Sequence, residues 1–195
     1  MSSYDLCLAS QSPRRRELLT QIGVRYKVVQ VDVEEIRQPA ESPIEYVQRL
    51  ARDKSHAGFQ VGDGLPTLGA DTIVEYRGKV LEKPENKSDF MAMFQLLSGQ
   101  CHQVHTAICI THNNAAQVKV NSTDVYFRPI EQVEIEEYWQ TGEPKDKAGG
   151  YGIQGLGGIF VDRIVGSYSS VVGLPITETA ILLKEFNVPI WQHES

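Results

Sequence analysis

The sequence predicts an α/β fold built on a mixed sheet. Short apolar runs of strand length are interleaved with amphipathic segments of helical period. The interleaving is irregular and includes a hairpin signal, which does not suit strict βαβ repetition. The 195 residues, 41% hydrophobic and 23% charged, fit one well-cored domain with room for two lobes around one sheet.

The elements follow in order. Leu6 to Ala9 reads as a short buried strand, and Ser10-Gln-Ser-Pro13 leads into a helix from about Arg14 to Ile22. Ser12 is placed to cap it, Pro13 suits its first position, and Gly23 stops it. Tyr26 to Val31 reads as a second strand. Ser42-Pro-Ile-Glu45 is a capping box, opening a helix that runs to about Ala57 with Gly58 closing it. Thr67 to Tyr76 is a strand; Arg77-Gly78 turns it back into Lys79 to Leu81. Ser88 to Leu97 carries Phe90, Met93, Phe94 and Leu97 at helical spacing, and these are expected in the core. Val104 to Thr111 and Val118 to Phe127 read as strands, and Ile130 to Trp139 as a helix ended by Gly142. Residues 142–158 are glycine-rich and irregular. Ile159 to Val165 and Ser169 to Val172 read as strands joined through Gly166, and Thr177 to Phe186 as the last helix.

The totals exclude several classes. No apolar stretch approaches the ~18 residues of a membrane span. The start, Met-Ser-Ser-Tyr-Asp, lacks the basic and apolar regions of a secretory leader, so a cytoplasmic location is expected. A net charge of −6 argues against a general nucleic-acid binder. Cys7, Cys101 and Cys109 form no Cys-x-x-Cys, so neither a disulfide framework nor a zinc site is expected. Cys7 and Cys109 lie in apolar runs and are expected to behave as core residues. His102 and His105, three apart on a strand, point to opposite faces and are read as structural or solvated.

Asp71 stands out. It lies within Leu68-Gly-Ala-Asp-Thr-Ile-Val74, a run that reads as buried, where a carboxylate needs a cation, a metal or hydrogen bonds. One role is metal binding or general-base activation of water; the alternative is a structural ion pair. Lys54 continues the inward stripe of Val47, Leu50 and Ala51, though a lysine there can also snorkel outward. Ser10, Ser12, Arg14 and Arg15 surround a strand-to-helix junction whose free N–H groups favour an anion. Arg15 shares its face with Leu18, Leu19 and Ile22, so it should lean inward, while Arg16 faces water. Glu34 and Glu35, at a strand end, can supply oxygen ligands to Mg²⁺ or stay solvated. Lys83, extended before Pro84, can reach a phosphate or remain an exposed lysine. Together these residues point to a cleft that binds a polyanion and a metal.

Gly150-Tyr-Gly-Ile-Gln-Gly155 matches G-x-G-x-x-G in letters but lacks the strand before it and the helix after it. It reads instead as a loop whose backbone passes close to a ligand. Gln154 is its only amide side chain, and an amide can read a base edge through both donor and acceptor.

These residues carry a resemblance to a known family. Ser10-Gln-Ser-Pro-Arg-Arg-Arg-Glu-Leu-Leu19, Leu50-Ala-Arg-Asp-Lys54, Gly69-Ala-Asp-Thr72, Glu82-Lys-Pro84, Leu97-Ser-Gly99, Asp146-Lys-Ala-Gly-Gly-Tyr-Gly-Ile-Gln-Gly155 and Val172-Gly-Leu-Pro175 resemble the Maf family in order and over nearly the whole chain. The resemblance implies a single domain over residues 1–195 with a long twisted mixed sheet flanked by helices. It also implies two lobes around a central cleft, similar to the inosine triphosphate pyrophosphatases. The implied activity is metal-dependent hydrolysis of a nucleoside triphosphate between the α- and β-phosphates, with Mg²⁺ or Mn²⁺ as cofactor. Pro13-Arg14-Arg15, Ala70-Asp71-Thr72 and Gln154 look like the branch acting on dTTP and UTP. The 7-methyl-GTP branch typically has an aromatic residue, Ser-Asp-Gln and a glutamate at those places. By this likeness Asp71 is the proton acceptor. Arg14, Thr72 and Gln154 set base specificity, Ser10, Arg15, Lys54 and Lys83 contact phosphates, and Glu34 joins Asp71 as metal ligand. Family members often resemble homodimers, and no patch in the sequence decides this. The rivals are a 7-methyl-GTP pyrophosphatase and a nucleotide-binding regulator of septum formation.

Overall fold

Seven strands form one mixed sheet in the order β2-β1-β3-β5-β6-β7, with β4 paired to β3, in a computed structural model that describes residues 4–192. The strands are β1 (Leu6–Ala9), β2 (Tyr26–Val28), β3 (Thr67–Tyr76), β4 (Lys79–Leu81), β5 (Cys101–His112), β6 (Ala115–Phe127) and β7 (Val161–Val165). The helices are α1 (Pro13–Gln21), α2 (Pro43–Val61), α3 (Lys87–Leu97), α4 (Gln132–Gln140), α5 (Tyr168–Val172) and α6 (Ile176–Glu185). β1 runs parallel to both β2 and β3, whereas β4 and β7 are antiparallel to their neighbours. The expected mixed α/β fold is therefore present. Part of the N-terminal segment read above for a leader, Met1 to Ser3, lies outside the described residues. No helix among those described is long and apolar enough to cross a membrane.

The chain divides into two compact units. Among the described residues, the first holds the chain up to Asp71, Thr106–Asn121, and everything from Gly173; the second holds Thr72–His105 and Ser122–Val172.

In the first unit α2 lies tight against β1 and β3. Its start is the expected capping box: Ser42 Oγ accepts from the Glu45 N–H at 3.2 Å, and Glu45 Oε2 accepts from the Ser42 N–H at 2.8 Å. Gly58 does not end this helix, contrary to the reading above; α2 continues to Val61. A Cβ at Gly58 would lie 2.6 Å from the Ala9 Cβ and 2.8 Å from the Thr67 Cγ2, so glycine serves close packing there rather than termination. Gly69 on β3 has the same origin, since its Cβ would fall 2.3 Å from the Ser55 nitrogen. The Ser55 hydroxyl donates to the Thr67 carbonyl at 2.7 Å across this contact. β2 is shorter than expected, ending at Val28. Cys7 and Cys109 are buried, as read.

The second unit is cored by aromatic side chains. Phe90, Met93, Phe94 and Leu97 of α3 are all buried, as their spacing predicts. Phe94 packs edge-on to Phe160 at 5.4 Å and against Tyr138 of α4 at 5.6 Å. The segment Ser169–Val172 is helical, not a strand. Ser167 Oγ accepts from the Ser170 N–H at 3.2 Å and so caps α5, while Thr123 Oγ1 accepts from the Ser167 N–H at 2.9 Å. This capping outweighs the β-preference of Val171 and Val172. Ile159 also differs from expectation: Leu156–Phe160 is a 3₁₀ turn, and the strand starts at Val161. Both histidines are structural. His102 Nε2 is 2.7 Å from the Tyr151 hydroxyl, and His105 bridges Ser122 (2.7 Å) and Glu75 (3.1 Å).

Candidate active site

β3 places Asp71 at the end of its first-unit portion, 7% exposed. α2 aims Lys54 at it, because Lys54 falls between Ala51 and Ser55 on the face pressed against Gly69. The Lys54 ammonium donates to Asp71 Oδ1 at 2.7 Å and lies 2.6 Å from Glu35 Oε1. Two carboxylates thus share one ammonium. Burial raises the Asp71 pKa above its ordinary value, and the charges of Lys54 and Arg15 only partly oppose that rise.

Arg15 takes the inward position its helical spacing predicts, and Arg16 is exposed. The Arg15 Nε donates to the Gly173 carbonyl at 2.8 Å, and its Nη1 donates to Ser10 Oγ at 3.2 Å. Ser10 Oγ also accepts from the Ser12 N–H at 3.2 Å. Ser12 sits at the N-cap of α1 as expected, yet its own side chain makes no capping bond. Burial lowers the Arg15 pKa, with Asp71 opposing this, and the guanidinium stays charged at neutral pH. Arg14 is half-buried on the first turn of α1. The first unit therefore gathers Ser10, Arg15, Lys54, Glu35 and Asp71 by direct contact or charge.

The glutamate on Lys54 is Glu35; both Glu34 and Glu35 are exposed, and it is Glu35 that meets the ammonium. The sequence marks the pair but gives no reason to prefer its second member, because irregular backbone there carries no period. Among the described residues no three His, Cys, Asp or Glu side chains cluster to form a complete metal cage. The donor set nevertheless suits a hard divalent cation, which needs one or two carboxylates and takes other oxygens from water and phosphate.

Thr72, Lys83 and Gln154 belong to the second unit. Thr72 is half-buried, on the opposite face of β3 from Asp71. Lys83 is exposed just beyond β4, and the carbonyl of the preceding Glu82 accepts from the Gly149 N–H at 3.1 Å. Gly149, at φ 66°, sits where a Cβ would lie 2.8 Å from the Val74 Cγ2, so the glycine loop rides directly on β3. Gln154 is exposed in a turn closed by the Gly155 N–H to the Gly152 carbonyl at 3.1 Å. The elements that adjoin this loop are the 3₁₀ turns Ala148–Gly150 and Leu156–Phe160, not a strand and an α-helix, so it lacks the setting of a dinucleotide-binding motif.

Fold and site together define a mixed α/β protein with a buried carboxylate held among lysine and arginine side chains. This chain belongs to the Maf family: the family described as Maf-like protein matches residues 5–186. A protein named dTTP/UTP pyrophosphatase from Saccharophagus degradans is 55% identical over 98% of this chain and 93% of its own. Proteins of the same name from Vibrio cholerae and Photobacterium profundum are 52% and 49% identical, each over 95% of this chain and at least 98% of their own. Among solved structures, protein VC0702 from Vibrio cholerae aligns over 72% of this chain and 79% of its own, at TM-score 0.42 and 10% identity.

Proposed function

We propose that this chain is a dTTP/UTP pyrophosphatase. In this reading water attacks the α-phosphorus, the bond from that phosphorus to the bridging oxygen breaks, and the products are the nucleoside monophosphate and pyrophosphate. The observation that carries the proposal is the buried Asp71 carboxylate on Lys54 and beside Arg15, in a chain 55% identical to a protein of that name. The Maf match runs through both units, which supports reading residues 1–195 as one functional domain. A cytoplasmic location fits this reading.

Asp71 accepts the proton of the attacking water; its raised pKa makes it a better base than an exposed aspartate. Lys54, Arg15 and Lys83 neutralise charge on the triphosphate and on the leaving pyrophosphate. Arg15 is held by Ser10 and the Gly173 carbonyl, so little freedom is lost when it meets an anion. Asp71 with Glu35, or with Glu34, would hold Mg²⁺ or Mn²⁺, which supplies further charge neutralisation to phosphate oxygens when bound. Arg14, Thr72 and Gln154 select the base, with the Gln154 amide offering donor and acceptor to a pyrimidine edge.

The test is pyrophosphate release from a panel of nucleoside triphosphates with Mg²⁺, Mn²⁺ or chelator. Metal-dependent cleavage of dTTP and UTP over purine nucleotides is the expected result. Preference for 7-methyl-GTP would overturn the specificity, and tight binding without turnover would overturn the activity.

A further inference from the structure

Glu143 lies in the second unit, outside the residues assigned above, and both oxygens of its carboxylate accept hydrogen bonds. Oε1 accepts from the Tyr138 hydroxyl at 2.7 Å and from the Gly157 N–H at 2.9 Å, and Oε2 accepts from the Leu156 N–H at 2.9 Å. Leu156 and Gly157 open the 3₁₀ turn Leu156–Phe160, so Glu143 caps that turn from another segment of chain. Its own backbone is tied down by the Lys147 ammonium, which donates to the Glu143 carbonyl at 2.9 Å. Tyr138, only 5% exposed among Phe90, Phe94 and Phe160, anchors the carboxylate to the core.

Two glycines exist for this contact. A Cβ at Gly155 would lie 2.5 Å from Glu143 Oε2, although its φ of −108° is open to any residue. A Cβ at Gly157 would lie 2.5 Å from the Tyr138 hydroxyl. Gly155 directly follows Gln154 and closes the turn that presents it. The carboxylate therefore presses on the backbone one residue from the amide and hydrogen-bonds it two and three residues away. Although burial opposes ionisation, the Gly157 and Leu156 N–H groups hold the Glu143 pKa below its usual range, so the charge is present at neutral pH.

We propose that Glu143 is a positioning residue for base selection, fixing the place from which Gln154 meets the pyrimidine. This rests on the reading of Gln154 as a base-reading side chain. Glu143→Gln keeps the shape but puts an NH₂ where a backbone N–H or the tyrosine hydroxyl needs an acceptor.

The experiment measures kcat and KM for dTTP and GTP in the wild type, Glu143→Gln, Glu143→Asp, Gly155→Ala and Gln154→Ala. In Glu143→Gln the KM for dTTP should rise about tenfold with little change in kcat, and the dTTP-over-GTP ratio of kcat/KM should fall as it does in Gln154→Ala. Glu143→Asp, which keeps the charge on a shorter arm, should restore part of that ratio. Gly155→Ala, which displaces the carboxylate from the other side, should repeat the loss and carries the test if Glu143→Gln does not fold. A folded Glu143→Gln that keeps the ratio, or loses kcat alone for both substrates, overturns the positioning role. If Gln154→Ala loses the ratio and Glu143→Gln does not, only the positioning role falls. If Gln154→Ala keeps it, base reading by this loop falls and the proposal falls with it.

Discussion

The Lys54 ammonium lies 2.7 Å from Asp71 Oδ1, and the two side chains are only 13% and 10% exposed. A pair so withdrawn from water contributes little net stability, because desolvation offsets most of the attraction. In the proposed reaction its value lies in holding an ionisable carboxylate ready to take a proton from water. Asp71→Asn keeps the volume and removes the base. Pyrophosphate release should fall by about 10²- to 10⁴-fold while the circular dichroism spectrum is unchanged. Turnover within a few-fold of wild type would remove Asp71 from the chemistry.

The same substitution should stabilise the protein at neutral pH. Burial raises the folded Asp71 pKa above 3.8, so the folded chain binds this proton more tightly than the unfolded one. The contribution of Asp71 to stability is thus complete below 3.8 and is lost as pH rises through the folded value. Asparagine does not titrate and escapes that loss. The Tm of Asp71→Asn should exceed that of wild type at pH 7, and the gap should shrink as pH falls towards 3.8. Equal Tm values at pH 7 would show that Lys54 and Arg15 fully offset the burial.

His102 gives the opposite sign. Burial depresses its pKa from 6.5 to about 4, and Nδ1 has no hydrogen-bond partner among the described residues. Its contribution is present above pH 6.5 and is lost as pH falls towards 4. Urea unfolding should show wild type losing about 3 kcal/mol over that range which His102→Gln does not lose. Parallel pH profiles would mean that folding does not lower the His102 pKa.

Gly69→Ala tests how α2 delivers Lys54. The new Cβ would meet the Ser55 nitrogen at 2.3 Å and the Ala51 carbonyl oxygen at 2.5 Å, both backbone atoms that cannot rotate away. Unfolding free energy should drop by about 1–3 kcal/mol, with turnover falling as Lys54 moves off Asp71. Full activity in a destabilised protein would uncouple the helix contact from the site.

Gln154→Glu replaces the donor half of the amide with a second acceptor and adds charge. The kcat/KM for dTTP and UTP should fall about tenfold or more relative to purine nucleotides, because a mismatched polar contact leaves a group unpaired. Unchanged substrate ratios would exclude Gln154 from base reading.

Much of the fold was legible locally. The capping box at Ser42 and Glu45, the buried stripe of α3 and the β3–β4 hairpin all depend on neighbours within a few positions, which spacing records. Errors arose where distant partners decided the outcome. Gly58 looked like a helix stop because nothing nearby reveals that Ala9 and Thr67 crowd it. Ser169–Val172 looked like a strand because its valines favour one, while Thr123 and Ser167 fix the helix start. Within the site, Asp71 and Lys54 were marked by being charged in apolar patterns, and Arg15 by its helical face.

By itself the sequence determined most of the strands and helices, the inward lean of Lys54 and Arg15, and the family to which the chain belongs. Each is written in period, composition or motif. Only the tertiary structure decided that Lys54 binds Asp71, that Glu35 rather than Glu34 reaches that lysine, that Gly173 receives Arg15, and that Glu143 caps the loop of Gln154. Those contacts join residues from 13 to 158 positions apart. Hydrogen bonds and ion pairs act over about 3–4 Å in space, whatever the separation along the chain.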